Sequence, residues 1–160
     1  MRSLKMSANR ILLGQILLRK KLITQKELDE ALQAQKATKE FLGTILIRKG
    51  IIKERDLLEA LSEQLGIPFG SIKDAKIDWD LVGKFSKSLI LEHRCFPVDK
   101  TKDSVIFAIT NPLDAWAIAE AERQMPGYKI MTMLIAEGEM EGFIEMYRNF
   151  AKSKIRRLLE

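Results

Sequence analysis

The chain repeats itself. A shift of 29 residues lays Leu12–Gln35 on Phe41–Gln64 without a gap, and 12 of the 24 aligned positions are identical. Among the identities are Leu13/Leu42, Gly14/Gly43, Leu17/Leu46, Leu28/Leu57, Leu32/Leu61 and Gln35/Gln64. Self-similarity at this period means that each copy is one supersecondary unit whose apolar face needs its twin to cover it. The first sixty-odd residues are therefore confined to a duplicated element.

Each copy reads as a short helix, a turn and a longer helix. Leu13 and Leu17 stand at i, i+4, which places them on one helical face. The turn falls at 20–24 in the first copy and at 49–53 in the second, where Gly50 can take the left-handed conformation that ends a helix. Thr24 followed by Glu27 is a capping box that opens the second helix. In that helix Leu28, Leu32 and Gln35 fall at i, i+4, i+7, and Leu57, Leu61 and Gln64 repeat the arrangement. An amide closing the same apolar stripe twice fits a binding face; it equally fits a helical bundle in which both glutamines are half-exposed.

From Ile67 onward short strands alternate with helices. Asp78 is placed to cap a helix through about Leu81–Lys84, and Ser86 another through His93. Cys95–Val98, Val105–Ile109 and Lys129–Leu134 read as strands, the first two joined by a polar turn. Asn111-Pro-Leu-Asp114 is expected to start a helix to about Gln124, with Pro112 in its first turn. Glu137–Phe150 reads as a closing amphipathic helix. The expected fold class is α+β, with a duplicated helix-turn-helix bundle over residues 1–66 (motifs 12–35 and 41–64). A small α/β sandwich with about three strands follows over 67–150, then a basic tail or linker over 151–160.

Charge and composition narrow the function. The net charge of +5 lies entirely in the repeated part, where residues 1–66 carry 13 basic against 8 acidic side chains. That surplus favours an anionic partner. A nucleic-acid binder would add exposed aromatics, and Phe41 is the only aromatic before Phe69, so no nucleic acid is expected. A single cysteine, Cys95, rules out an internal disulfide and a cysteine metal cluster. With neither a signal peptide nor a long apolar run, the cytoplasm is the expected compartment. His93 stands alone and reads as a surface residue at a helix end, while Cys95 reads as a small buried hydrophobe. No phosphate-binding GxxxxGK[ST] loop is present, so no catalytic residue, metal ligand or enzyme activity is expected. The chain reads either as a fragment cut at a linker or as a stand-alone regulatory protein.

The paired pattern of Leu-Gly, an apolar pair, a turn, and Leu-x-x-Ala-Leu-x-x-Gln resembles the MshEN domain. This is the N-terminal module of type II secretion and type IV pilus assembly ATPases. Two 24-residue motifs joined by the five residues Lys36–Glu40 match the family's spacing. The resemblance implies binding of the second messenger cyclic di-GMP, with contacts carried over by position. These are Leu13, Gly14, Leu17, Leu28 and Gln35 in the first copy, and Leu42, Gly43, Leu46, Gly50, Leu57 and Gln64 in the second. It also implies a downstream ATPase domain or subunit, and an inner-membrane platform protein that would recruit the chain to the inner face of the cytoplasmic membrane.

Three departures bear on the ligand. The motif's opening arginine is Leu12 in one copy and Phe41 in the other, and the first turn glycine is Lys21. Neither Leu nor Phe can supply the planar donor fork of a guanidinium. Two lost contacts of ~1–3 kcal/mol each amount to roughly thirtyfold to ten-thousandfold in affinity. Arg10, Lys39, Arg19 and Arg48 are the nearby cations, but none falls where the arginine would stand. The expectation is a docking and regulatory domain that binds the platform protein and takes cyclic di-GMP weakly or not at all. A cyclic di-GMP sensor is the alternative, with nucleic-acid binding third.

Overall fold

The structure is a computed structural model that describes residues 12–160; Arg10 lies outside the described residues. The chain divides into two compact units, Met1–Ile67 and Pro68–Glu160.

The described part of the first unit is four helices: α1 (Leu13–Arg19), α2 (Gln25–Thr38), α3 (Leu42–Arg48) and α4 (Glu54–Leu65). Helix α1 packs on α4 and α2 on α3, so each short helix meets the long helix of the other copy. The duplication reaches the core. Ile16 and Ile45, Leu17 and Leu46, Ile23 and Ile52, and Ala31 and Ala60 are buried pairs in one cluster. Each fully buried Leu or Ile contributes about 1.5–3 kcal/mol of transfer free energy, which is what holds helices this short in place.

Local signals set the helix ends. The Thr24 hydroxyl accepts from the Glu27 amide at 3.2 Å, and the Glu27 carboxylate accepts from the Thr24 amide at 2.8 Å, completing the expected box. At the equivalent start of α4 only the return arm exists, the Asp56 carboxylate accepting from the Lys53 amide at 3.1 Å. Gly50 takes the left-handed turn position with φ 72°, and Lys21 adopts the same conformation at φ 58°.

The second unit is built on a three-stranded sheet ordered β1 (Cys95–Lys100), β2 (Ser104–Ile109), β3 (Lys129–Leu134). The β1–β2 pair is antiparallel, with a register shift between Pro97 and Asp99; β2 and β3 are parallel. Short helices α5 (Trp79–Val82) and α6 (Lys87–Leu91) precede the sheet. Helix α7 (Ala115–Gln124) makes the crossover that a parallel pair requires, and α8 (Glu137–Leu159) closes the unit. Side chains alternate across the sheet. Phe96 of β1 faces Phe143 of α8, with ring centroids 5.3 Å apart, while Phe107 of β2 meets Phe85 edge-on at 4.8 Å. Helices thus cover both faces, and the fold is α+β.

Two expectations need correction. Asn111-Pro-Leu-Asp114 does not start α7. The Asn111 side chain accepts from the Leu113 amide at 3.0 Å and closes its own turn, and Asp114 is the N-cap, accepting from the Ala117 amide. Helix α8 does not stop at Phe150 but runs to Leu159, carrying Ile155, Leu158 and Leu159 exposed among basic residues.

Candidate functional site

The residues carried over from the family pattern divide by depth. Leu17 and Leu46 are fully buried and Leu28 nearly so, all three inside the first unit's core. Leu13, Leu42 and Leu57 are half-buried and pack against that core. Gly14 and Gly43 are buried because a leucine of the following helix lies over each. A Cβ on Gly14 would stand 2.8 Å from Leu28 Cδ1, and one on Gly43 2.5 Å from Leu57 Cδ1. The glycines therefore let α1 meet α2 and α3 meet α4 closely. The fold brings together Gly14 with Leu28 and Gly43 with Leu57.

The two glutamines are half-buried but differ. The Gln35 amide donates to the Glu40 carbonyl at 3.1 Å and ties the end of α2 to the five-residue spacer. The Gln64 amide makes no hydrogen bond with the described residues, and Gly50 is exposed with open space at its Cα.

The exposed part of each motif is its opening residue. Leu12 and Phe41 are the N-caps of α1 and α3, with φ/ψ of −62°/145° and −68°/142°. They are 69% and 64% exposed, and neither supplies a side-chain cap. The nearby arginines are engaged elsewhere. Arg19 pairs with Glu63 of α4, which Lys20 also approaches at 3.6 Å, and Arg48 pairs with Glu40 at 3.2 Å. The Arg19 hydrogen bond holds the Glu63 carboxyl below its ordinary range. Lys39 is exposed at the left-handed end of α2.

The second unit holds a cluster that residue patterns did not reveal. His93 is half-buried, not a surface residue. Its Nδ1 lies 2.7 Å from Asp114 Oδ2, and its ring stacks on Trp116 with centroids 4.1 Å apart. Burial raises the Asp114 pKa, but the hydrogen bonds from His93 and from the Ala117 amide outweigh it, leaving the group below the usual aspartate range. Beside it Arg94, at φ 51°, reaches Glu137 at 2.6 Å and Glu141 at 2.8 Å. No spacing signal links His93 to Asp114, because β1 and β2 bring them together. Cys95 is buried, and burial pushes its thiol up to about 12, which keeps it protonated and unreactive. An open groove of about 510 Å³ runs along α8 past Gly138, Gly142 and Met146. Its one carboxylate, Glu139, accepts from the Ser71 hydroxyl and the Ile72 amide. Among the described residues no group of three or more His, Cys, Asp or Glu is placed to hold a metal ion. No described helix is long and apolar enough to cross a membrane.

A duplicated helical unit and a three-stranded α+β unit define the architecture. The MshEN domain model matches residues 65–154, more than half of the chain, and the chain belongs to that family. The match lies mainly on the sheet-bearing unit, whereas the motif resemblance lies on the repeat. The type IV pilus assembly ATPase PilB of Myxococcus xanthus (strain DK1622) is 30% identical over 135 residues. That alignment takes in 84% of this chain and 24% of PilB, so the chain spans about a quarter of this curated relative's length. A solved structure of MshE with cdg (cyclic di-GMP) superposes with a TM-score of 0.78 at 28% identity, covering 86% of this chain and 99% of that one. The N-terminal domain of XpsE shares the fold at a TM-score of 0.62 and 20% identity, covering 83% of this chain and 91% of that one.

Proposed function

We propose that this chain is the non-catalytic docking and regulatory module of a type II secretion or type IV pilus assembly ATPase. In this reading residues 1–66 make protein–protein contacts with the inner-membrane platform protein, at the inner face of the cytoplasmic membrane. The sheet-bearing unit and the basic segment 151–160 connect toward the ATPase domain or subunit. The carrying observation is the pair Leu12 and Phe41. Both motif-opening positions are exposed and apolar, and the nearest described arginines are ion-paired elsewhere. Such a surface suits a protein partner better than a phosphodiester, because no guanidinium of the described residues stands ready at either station.

The likeness to MshE with cdg favours a second reading, a cyclic di-GMP sensor in which the eleven carried-over positions form the ligand face. Burial of Leu17, Leu28 and Leu46 argues for a structural role for those three, leaving Leu13, Leu42, Leu57, Gly50, Gln35 and Gln64 nearer the surface. Calorimetric titration of the chain with cyclic di-GMP separates the readings. The docking reading expects no sub-micromolar binding by the natural chain, and a gain of at least about tenfold in Leu12→Arg/Phe41→Arg. Sub-micromolar binding by the natural chain would overturn it in favour of the sensor.

A further inference from the structure

We infer that the repeat unit takes a protein segment that is apolar at its centre and acidic at its margins, with Leu12 and Phe41 as the two anchoring side chains. The inference rests on the docking reading and names the chemistry of the partner.

The first support is a repeated departure from what a helix start favours. An N-cap side chain with an oxygen satisfies a backbone amide that the helix leaves without a partner. Thr24, Asp78, Ser86 and Asp114 do this for their helices, while Lys53 and Ala136, at the starts of α4 and α8, do not. Leu12 and Phe41 accept nothing, and their exposure shows that no packing among the described residues compensates. The same unfavourable choice occurs at the same backbone position in both copies. A large apolar side chain held out at both stations is what an anchor residue looks like before its pocket arrives.

The second support is charge. The unit's carboxylates are largely spent internally. Glu40, Glu59 and Glu63 are in ion pairs, and Glu27 and Asp56 accept backbone amides at helix starts. Lys21, Lys26, Lys36, Lys39, Lys49 and Lys53 make no ion pair among the described residues. Spare positive charge on the unit that carries the apolar anchors complements Asp and Glu flanking an apolar centre. A lipid surface fits less well. Interfacial binding draws on a continuous apolar helix face, and Leu12 and Phe41 are single residues at the starts of separate seven-residue helices.

The experiment measures binding of the full chain to the cytoplasmic region of the cognate platform protein by calorimetry, alongside thermal melts and sedimentation with phosphatidylglycerol-containing vesicles. Leu12→Ser/Phe41→Ser supplies both missing caps, so its melting temperature should equal or exceed that of the natural chain while affinity for the platform region falls at least about tenfold. Leu12→Met/Phe41→Met keeps the anchors apolar and should retain binding, and raising the salt should weaken it. Undiminished binding by the serine variant overturns the inference and leaves the docking reading standing. Equal loss in the methionine variant also overturns it. No binding by the natural chain removes the docking reading and the inference with it. Vesicle binding tighter than platform binding reassigns the anchors to lipid.

Discussion

At the scale of single residues the two copies test one another. Lys21 and Gly50 occupy the same place in the repeat and both hold left-handed backbone, yet only glycine does so without steric conflict at Cβ. For an L-residue that conformation costs roughly 1–2 kcal/mol, partly offset by the freedom glycine loses on folding. Lys21→Gly is therefore expected to stabilise the chain by about 0.5–1 kcal/mol, and Gly50→Ala to destabilise it by a similar amount. Urea melts should show opposite shifts in midpoint at constant slope; shifts of the same sign would refute the reading.

Among the elements, α7 shows how one side chain serves two bonds. Asp114 caps the helix and holds the His93 ring, and its pKa is depressed in the folded chain. A carboxyl that binds its proton less tightly when folded contributes stability that is fully present above the unfolded value near 3.9. The contribution is lost as the pH falls through the lower folded value. Asparagine still caps but cannot ionise, so Asp114→Asn separates the two jobs. The stability gap between the natural chain and this variant should be widest near pH 5 and shrink toward pH 2.5, read from urea midpoints. A gap that does not change with pH would exclude the charged contact.

How far these elements were legible depends on how local their causes are. The Thr24 box, the Gly50 turn and the strand Lys129–Leu134 rest on neighbouring residues and could be read directly. The start of α7 was misread because an Asn-Pro pair serves a turn as readily as a helix start, and only the Asn111 bond to Leu113 decides between them. The length of α8 was underestimated because its last turns bury nothing, so the apolar periodicity thins although the backbone stays helical. The candidate site was legible as a pattern but not as a surface. A leucine at helical spacing looks the same whether it faces a ligand or its twin helix, and Leu17, Leu28 and Leu46 prove to be buried. The contact between His93 and Asp114 was out of reach because the β1–β2 hairpin lies between them.

Across the whole molecule, the parallel pairing of β2 with β3 has a kinetic consequence. Its hydrogen bonds cannot form until the chain between Ile109 and Lys129, α7 included, has folded back on itself. The four helices of the first unit close short loops, and although α1 must wait for α4, α2 meets its neighbour α3 directly, so the unit gains part of its contacts early. Both tryptophans, Trp79 and Trp116, belong to the second unit. Stopped-flow refolding should therefore separate two signals: helical circular dichroism should gain much of its amplitude before tryptophan fluorescence changes. Coincident traces at every denaturant concentration would show that the two units fold as one. If they separate, a nascent chain would hold a formed repeat while its sheet still had an unpaired edge, and the slow crossover would set how long that edge stays open to aggregation.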